Sequence, residues 1–316
     1  DSSHQVVWGK VDSVNTITPL EGVYIIGHVP VPYSGFLFPD GHPDHAGAWP
    51  TDLYYVTDST LWSDNTIDSV NATRPQNTNV PGDGKYDDYQ IPEAIFAPIS
   101  RVDFFNLPSM LISEEDMLRN YLREASKYKN GDAPTLNQGL VDNNFVNFGE
   151  GFAFNAYNNF SSLYGSDSVV LGDMLTDLTT DTYKWTYACG FGSDTSAVGI
   201  GTIVDFRNTD YKGIFSMIFG SYFGDWNTQN NFMRAAMANG KMLTTAWAGR
   251  PMYFFHHMGQ NQPIGVSAQA SINNNLGGLT NYDSTGYGNN FVHMALLGDL
   301  SLRNKQNPSI KDFTAN

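Results

Sequence analysis

Apolar residues fall in short, dense runs separated by polar, glycine- and proline-rich segments. Gly22–Val29 (GVYIIGHV), Asp52–Val56 (DLYYV), Ala94–Ile99, a run near Leu140, Tyr183–Ala188 (YKWTYA), Ile214–Phe219 and Met242–Trp247 are the clearest. Such runs, rich in β-branched and aromatic residues, predict buried strands. A different period lies between them. Met117, Leu118, Tyr121, Leu122, Ala125 and Tyr128 share one helical face, and Ser113 with Asp116 forms a variant capping box before it. Lys127 and Lys129 suit the carboxyl end of that helix, and Gly131 stops it. Helices are also expected over Gly151–Leu163, Asn230–Ala238, Ile264–Ile272 and Asn289–Leu297, while Thr57–Tyr89 reads as irregular surface structure. Strands alternating with helices predict an α/β fold, a mostly parallel sheet flanked by helices. The polar stretch 130–139 (NGDAPTLNQG) divides the chain into a first α/β subdomain, 1–130, and a second, 131–303. Residues 304–316 read as a linker toward a possible following domain.

One stretch organises the rest. In Tyr211–Trp226 (YKGIFSMIFGSYFGDW) the strand runs out at Gly220, and a polar turn then offers the Ser221 hydroxyl. Asp225 and Asn227 are placed to cap a helix beginning near Thr228. Tyr183–Ala188 ends in a similar way, at Cys189, Gly190, Phe191, Gly192 and Ser193. If the two strands are neighbours, Phe191 and Ser221 face one crevice at the carboxyl edge of the sheet, where α/β folds hold their sites.

Charge removes some function classes. Seventeen Lys and Arg against 32 Asp and Glu give a net charge of −15, with no basic stripe, which excludes nucleic acid and anionic membrane as natural partners. Charged residues are only 16% of the chain, and Asn, Tyr, Phe, Gly and Ser are abundant, an extracellular style of surface. No apolar run reaches the ~18 residues of a transmembrane segment. The polar start DSSHQ reads as the boundary of a mature chain. The sequons Asn71-Ala72-Thr73 and Asn159-Phe160-Ser161, and the short Asp-Ser patterns at Asp58 and Asp68, are consistent with glycosylation in a secreted protein. The single cysteine rules out an internal disulfide and any CxxC metal site. Two clusters offer metal ligands. Asp83, Asp87 and Asp88 around Gly84 place hard oxygens on a tight turn, the chemistry of Ca²⁺. His42, Asp44 and His45 place two imidazoles and a carboxylate in one loop, short of the four protein ligands of a structural zinc site.

The order of these segments resembles the gingipain-type cysteine peptidases, whose catalytic domain has a caspase-like fold. GVYIIGHVPV resembles the strand ending that family's first subdomain, and TDLYY the Ser-Asp-x-x-Tyr strand after it. GKYDDYQIPEAIFAPISRVD with LRNYLREASKYKNG resembles the following strand and helix. ACGFGS sits where the family has Gly-His-Gly, and MIFGSYFGDW where an apolar strand ends in the nucleophilic cysteine. FMRAAMA and LLGDLSLR resemble the next helix and the closing segment. The resemblance implies two apposed subdomains. It also puts Phe191 at the position of the general-base histidine and Ser221 at that of the cysteine.

Phe191 can neither accept a proton nor favour a thiolate, so the inherited dyad is missing. The implied reading is a secreted or cell-surface, non-catalytic module holding a protein or glycan partner in an extracellular assembly. The alternative is an active endopeptidase using Ser221, served by His256 or His257 with Asp225 or Asp194 orienting the ring, or using Cys189. A metal-dependent hydrolase built on His42, Asp44 and His45 is a third reading.

Overall fold

The structure, a computed structural model, describes residues 3–68, 72–148, 151–249, 252–274 and 291–305. Its centre is an eight-stranded sheet made of β1 (Val23–Ile26), β2 (Ile99–Val102), β3 (Leu136–Asn143), β4 (Val169–Leu171), β5 (Tyr183–Cys189), β6 (Gly213–Phe219), β7 (Thr244–Ala248) and β8 (Met294–Gly298). They lie in the order β1-β2-β8-β7-β6-β5-β3-β4. Every neighbouring pair is parallel except β7 and β8. That one antiparallel seam joins a half made of β1, β2 and β8 to a half made of the other five. β5 and β6 are buried at every residue, as strands covered on both faces are, and their sequences are mostly apolar, with Lys184, Thr186 and Ser216 the buried polar exceptions.

Seven helices accompany the sheet among the described residues: α1 (His4–Ile17), α2 (Glu114–Lys129), α3 (Phe154–Tyr164), α4 (Met174–Thr180), α5 (Ile203–Asn208), α6 (Phe232–Ala238) and α7 (Ile264–Ile272). In α2 the Ser113 hydroxyl accepts the Asp116 N–H at 3.1 Å, and Met117, Tyr121, Ala125 and Tyr128 are buried, as the apolar period predicts. Tyr121 donates to the Leu243 carbonyl at 2.6 Å, docking the helix against the start of β7.

Four expectations are corrected. Asp52–Val56 forms a 3₁₀ turn, not a strand. Thr51 caps it, and Asp52 takes two hydrogen bonds, 2.9 and 2.6 Å, from the fully buried Arg101 of β2. The strand expected over Ala94–Ile99 begins where that segment ends, at Ile99. Of the helix expected over Asn289–Leu297, Met294–Leu297 lie in β8; their Met, Ala and Leu favour helix, but a slot between β2 and β7 overrides that preference. The helix after Ser221 begins at Phe232, not near Thr228, because Asn231 caps it by accepting the Met233 and Arg234 N–H groups. The stretch 130–139 runs into β3 at Leu136, and β8 from beyond it pairs with β2 from before it. Helix α1 was not anticipated; it packs on the 52–56 turn, where Trp8 Nε1 donates to the Thr57 carbonyl at 2.8 Å. Residues 306–316, most of the expected linker, lie outside the described residues.

Candidate functional site

The paired strands β5 and β6 leave the sheet side by side, with Cys189 opposite Phe219 and the Gly190 N–H donating to the Phe219 carbonyl at 3.2 Å. Beyond them the chain segments touch: a Cβ at Gly192 would come within 2.8 Å of the Ser221 nitrogen, so only glycine permits this approach. Phe191 and Ser221 therefore do border one edge. Phe191 is 46% exposed and sets its ring edge-on to Phe145, with centroids 5.0 Å apart. Cys189 faces inward, fully buried, with Sγ 3.2 Å from Asn143 Oδ1. Burial pushes its thiol up to about 11, the condition of an inert structural cysteine.

The residue after Ser221 is strained. Tyr222 holds φ at 64°, the left-handed region that a bulky side chain rarely enters. Three contacts from distant loops hold it there. Its N–H donates to Asp40 Oδ2 at 3.1 Å, its ring stacks on His45 with centroids 3.8 Å apart, and the Arg74 guanidinium lies 3.4 Å from the ring centre. Such strain persists only where surrounding structure enforces it, and it gathers at functional sites. The loop bearing Asp40 and His45 thus lies across the turn that presents Ser221.

Within that loop Asp40 and His45 are both buried, and His45 Nδ1 stands 2.7 Å from Asp40 Oδ2. The other Asp40 oxygen accepts the His42 N–H at 3.2 Å. The His42 ring stacks on His45 at 4.7 Å, and its Nε2 lies 3.4 Å from Ser221 Oγ. Below, Trp49 stacks between Tyr222 and Trp247, at 6.0 and 5.8 Å. Arg74 also reaches Asp194 at 2.6 Å and Asp225 at 3.0 Å. Burial pushes Asp225 up to about 6, although Arg74 pulls the other way. Beside the loop is a cleft of about 330 Å³ lined by Leu37, Phe38, Tyr89, Phe291 and His293.

Several expected site residues stand elsewhere. His257 lies on a 3₁₀ turn, His256–Gln260, that packs against α3 and α7, so the imidazole at Ser221 is His42 instead. Asp194 and Asp225 hold Arg74, not a histidine. Among the described residues the side chains whose ligand atoms lie within 4.8 Å of one another as a triplet are His42, Asp44 and His45, a grouping that does not include Asp83, Asp87 and Asp88. The carboxylates of these three aspartates accept backbone N–H groups of the surrounding loop. Asp87 accepts from the Asn65 and Thr66 N–H groups, Asp88 from that of Ser63, and Asp83 from that of Lys85. The pairing of His42 with Ser221, 179 positions apart, had no local signal; only the HPDH cluster hinted that the loop carried chemistry.

No protein-family model and no curated protein matches the chain. Solved structures do. The crystal structure of the Arg-specific cysteine proteinase gingipain R (RGPB) matches at 15% identity with a TM-score of 0.53, over 95% of this chain and 68% of that one. A second structure, described as a protease, matches at 12% identity with a TM-score of 0.54, over the same shares, 95% and 68%. At these identities the likeness shows the fold: a mostly parallel eight-stranded sheet flanked by helices, of the gingipain, caspase-like type.

Proposed function

We propose that this is a gingipain-fold domain without the cysteine–histidine dyad, acting at the cell surface or outside the cell as a binding module in a larger assembly. The observation that carries this reading is Phe191, an aromatic ring with no proton to give or take, bordering Ser221. The fold supports it by bringing those two segments together, and the buried Cys189 supports it by offering no accessible thiolate. The acidic, weakly charged surface favours a protein or glycan partner.

One contact favours a second reading. Ser221 Oγ and His42 Nε2, 3.4 Å apart, are a nucleophile and a base at a distance that tightens to a working hydrogen bond once substrate binds. In that case the protein is a serine-type hydrolase that has recruited its base from a different loop. A fluorophosphonate probe separates the two. We expect no labelling and no turnover of fluorogenic peptides or esters by the wild-type chain. Labelling that disappears in both Ser221→Ala and His42→Ala establishes the hydrolase and overturns the binding-module reading.

A further inference from the structure

We propose that the loop 40–45 is a binding site for a divalent transition-metal ion of the Zn²⁺ class, held by His42, Asp44 and His45. The ligand atoms of these three residues lie within 4.8 Å of one another. Around a tetrahedral Zn²⁺ with ligands about 2.0–2.2 Å away, neighbouring ligand atoms stand about 3.3–3.6 Å apart. His45 Nε2 and Asp44 Oδ1 are already 3.9 Å apart. His42 and Asp44 are exposed, so their side chains can close the remaining gap by rotation.

What makes this a built site is the support behind His45. Its Nδ1 meets the carboxylate of buried Asp40 at 2.7 Å, which fixes the tautomer and presents Nε2 toward Asp44. A carboxylate on the far nitrogen is the usual support of a metal-binding imidazole: it orients the ring and raises its basicity. Asp40 is itself pinned by the His42 and Tyr222 N–H groups, at 3.2 and 3.1 Å. Two imidazoles with one carboxylate suit Zn²⁺ and its neighbours better than Ca²⁺, which prefers an all-oxygen shell. Three protein ligands leave one position open, and Ser221 borders it through its contact with His42. The site needs neither Phe191 nor a nucleophilic Ser221, so it stands or falls independently of the function proposed above.

The test is titration of the chelator-treated full chain with Zn²⁺ and Co²⁺, followed by calorimetry and by the visible d–d bands of four-coordinate Co²⁺. One ion per chain is expected. His42→Ala and His45→Ala should each weaken binding at least tenfold, and Asp40→Asn by about 10–100-fold. The double variant His256→Ala, His257→Ala should bind like the wild type. Should His45→Ala fail to fold, the exposed His42→Ala and Asp44→Asn variants carry the comparison, with circular dichroism confirming their folds. Substoichiometric binding, or affinity unchanged in His42→Ala and Asp44→Asn, overturns the proposal, as does binding lost in the His256, His257 variant.

Discussion

The thiol of Cys189 lies two residues before Phe191, near enough to the sheet edge to invite a role in chemistry. The strand is buried at every residue, Cys189 included, and burial raises its pKa to about 11. At pH 8 the native protein should therefore resist iodoacetamide over hours and react fully only in denaturant; mass spectrometry of the alkylated chain reads both. Rapid alkylation of the folded protein would contradict the burial. Asp225 carries a charge effect of a different kind. Burial pushes its folded pKa up to about 6, above the ordinary aspartate value. The folded state thus holds this proton more tightly than the unfolded one, and stability falls as pH climbs from about 4 to about 6. Asp142, raised to about 6 by burial, acts in the same direction. Asp225→Asn cannot ionise and keeps an acceptor for Arg74. Its denaturation midpoint should change less between pH 4 and 6 than that of the wild type, and parallel curves for the two proteins would show that Asp225 is not the source.

Turns and caps around the site set the next scale. The Asn231 side chain accepts two N–H groups at the start of α6 and donates to the Phe223 carbonyl at 3.3 Å. Removing a capping acceptor costs about 0.5–2 kcal/mol, so Asn231→Ala should lower stability by that amount in urea, and Asn231→Ser should recover part of it. At Gly224 an added Cβ would sit 2.2 Å from a ring carbon of the buried Trp247. Overpacking of this kind costs about 1–3 kcal/mol, and Gly224→Ala should show it together with altered Trp fluorescence. A variant with an unchanged urea midpoint would mean that the turn relaxes freely. The elements differ in how plainly the sequence announces them, for physical reasons. Helix α2 and strands β5 and β6 announce themselves because a helical stripe or a fully buried run leaves little choice. DLYYV misleads, since a short apolar run is compatible with any buried conformation, and what bends it into a turn is Arg101, distant in sequence. The 289–297 region misleads because its local preference is helical while Met294–Leu297 lie in β8. Contact between His42 and Ser221 arises only when the loop folds across the sheet edge.

Across the whole molecule the sheet crosses the division into two subdomains that the sequence invites. β8 comes last in the sheet's chain order and yet stands near its middle, antiparallel to β7 along five paired residues and parallel to β2 on its other side. Among the described residues, its pairing with β7 is what joins the two parallel halves of the sheet. Unfolding either half would strip β8 of a partner strand and expose an apolar edge, so the halves cannot lose structure separately at low cost. A single cooperative transition is expected in urea, with coincident curves from tryptophan fluorescence and far-ultraviolet dichroism. The ion pair that Arg101 makes with Asp52 strengthens this coupling on the β2 side, because Arg101 is fully buried and hydrogen-bonds the Val29 and Pro30 carbonyls as well. Asp52→Ala removes both of the carboxylate hydrogen bonds of that guanidinium and leaves it Asp103, at 3.8 Å, as its nearest buried carboxylate; breaking a buried pair costs about 3–5 kcal/mol. If the sheet is one unit, the loss must shift the whole transition, tryptophans of β5 and β7 included. If the halves are independent, Asp52→Ala should instead split the curve, with an early step confined to the β1–β2 side and the Ser221 edge still folded. The two outcomes decide whether the loop over Ser221 is anchored by one rigid body or by two lobes free to open at the β7–β8 seam.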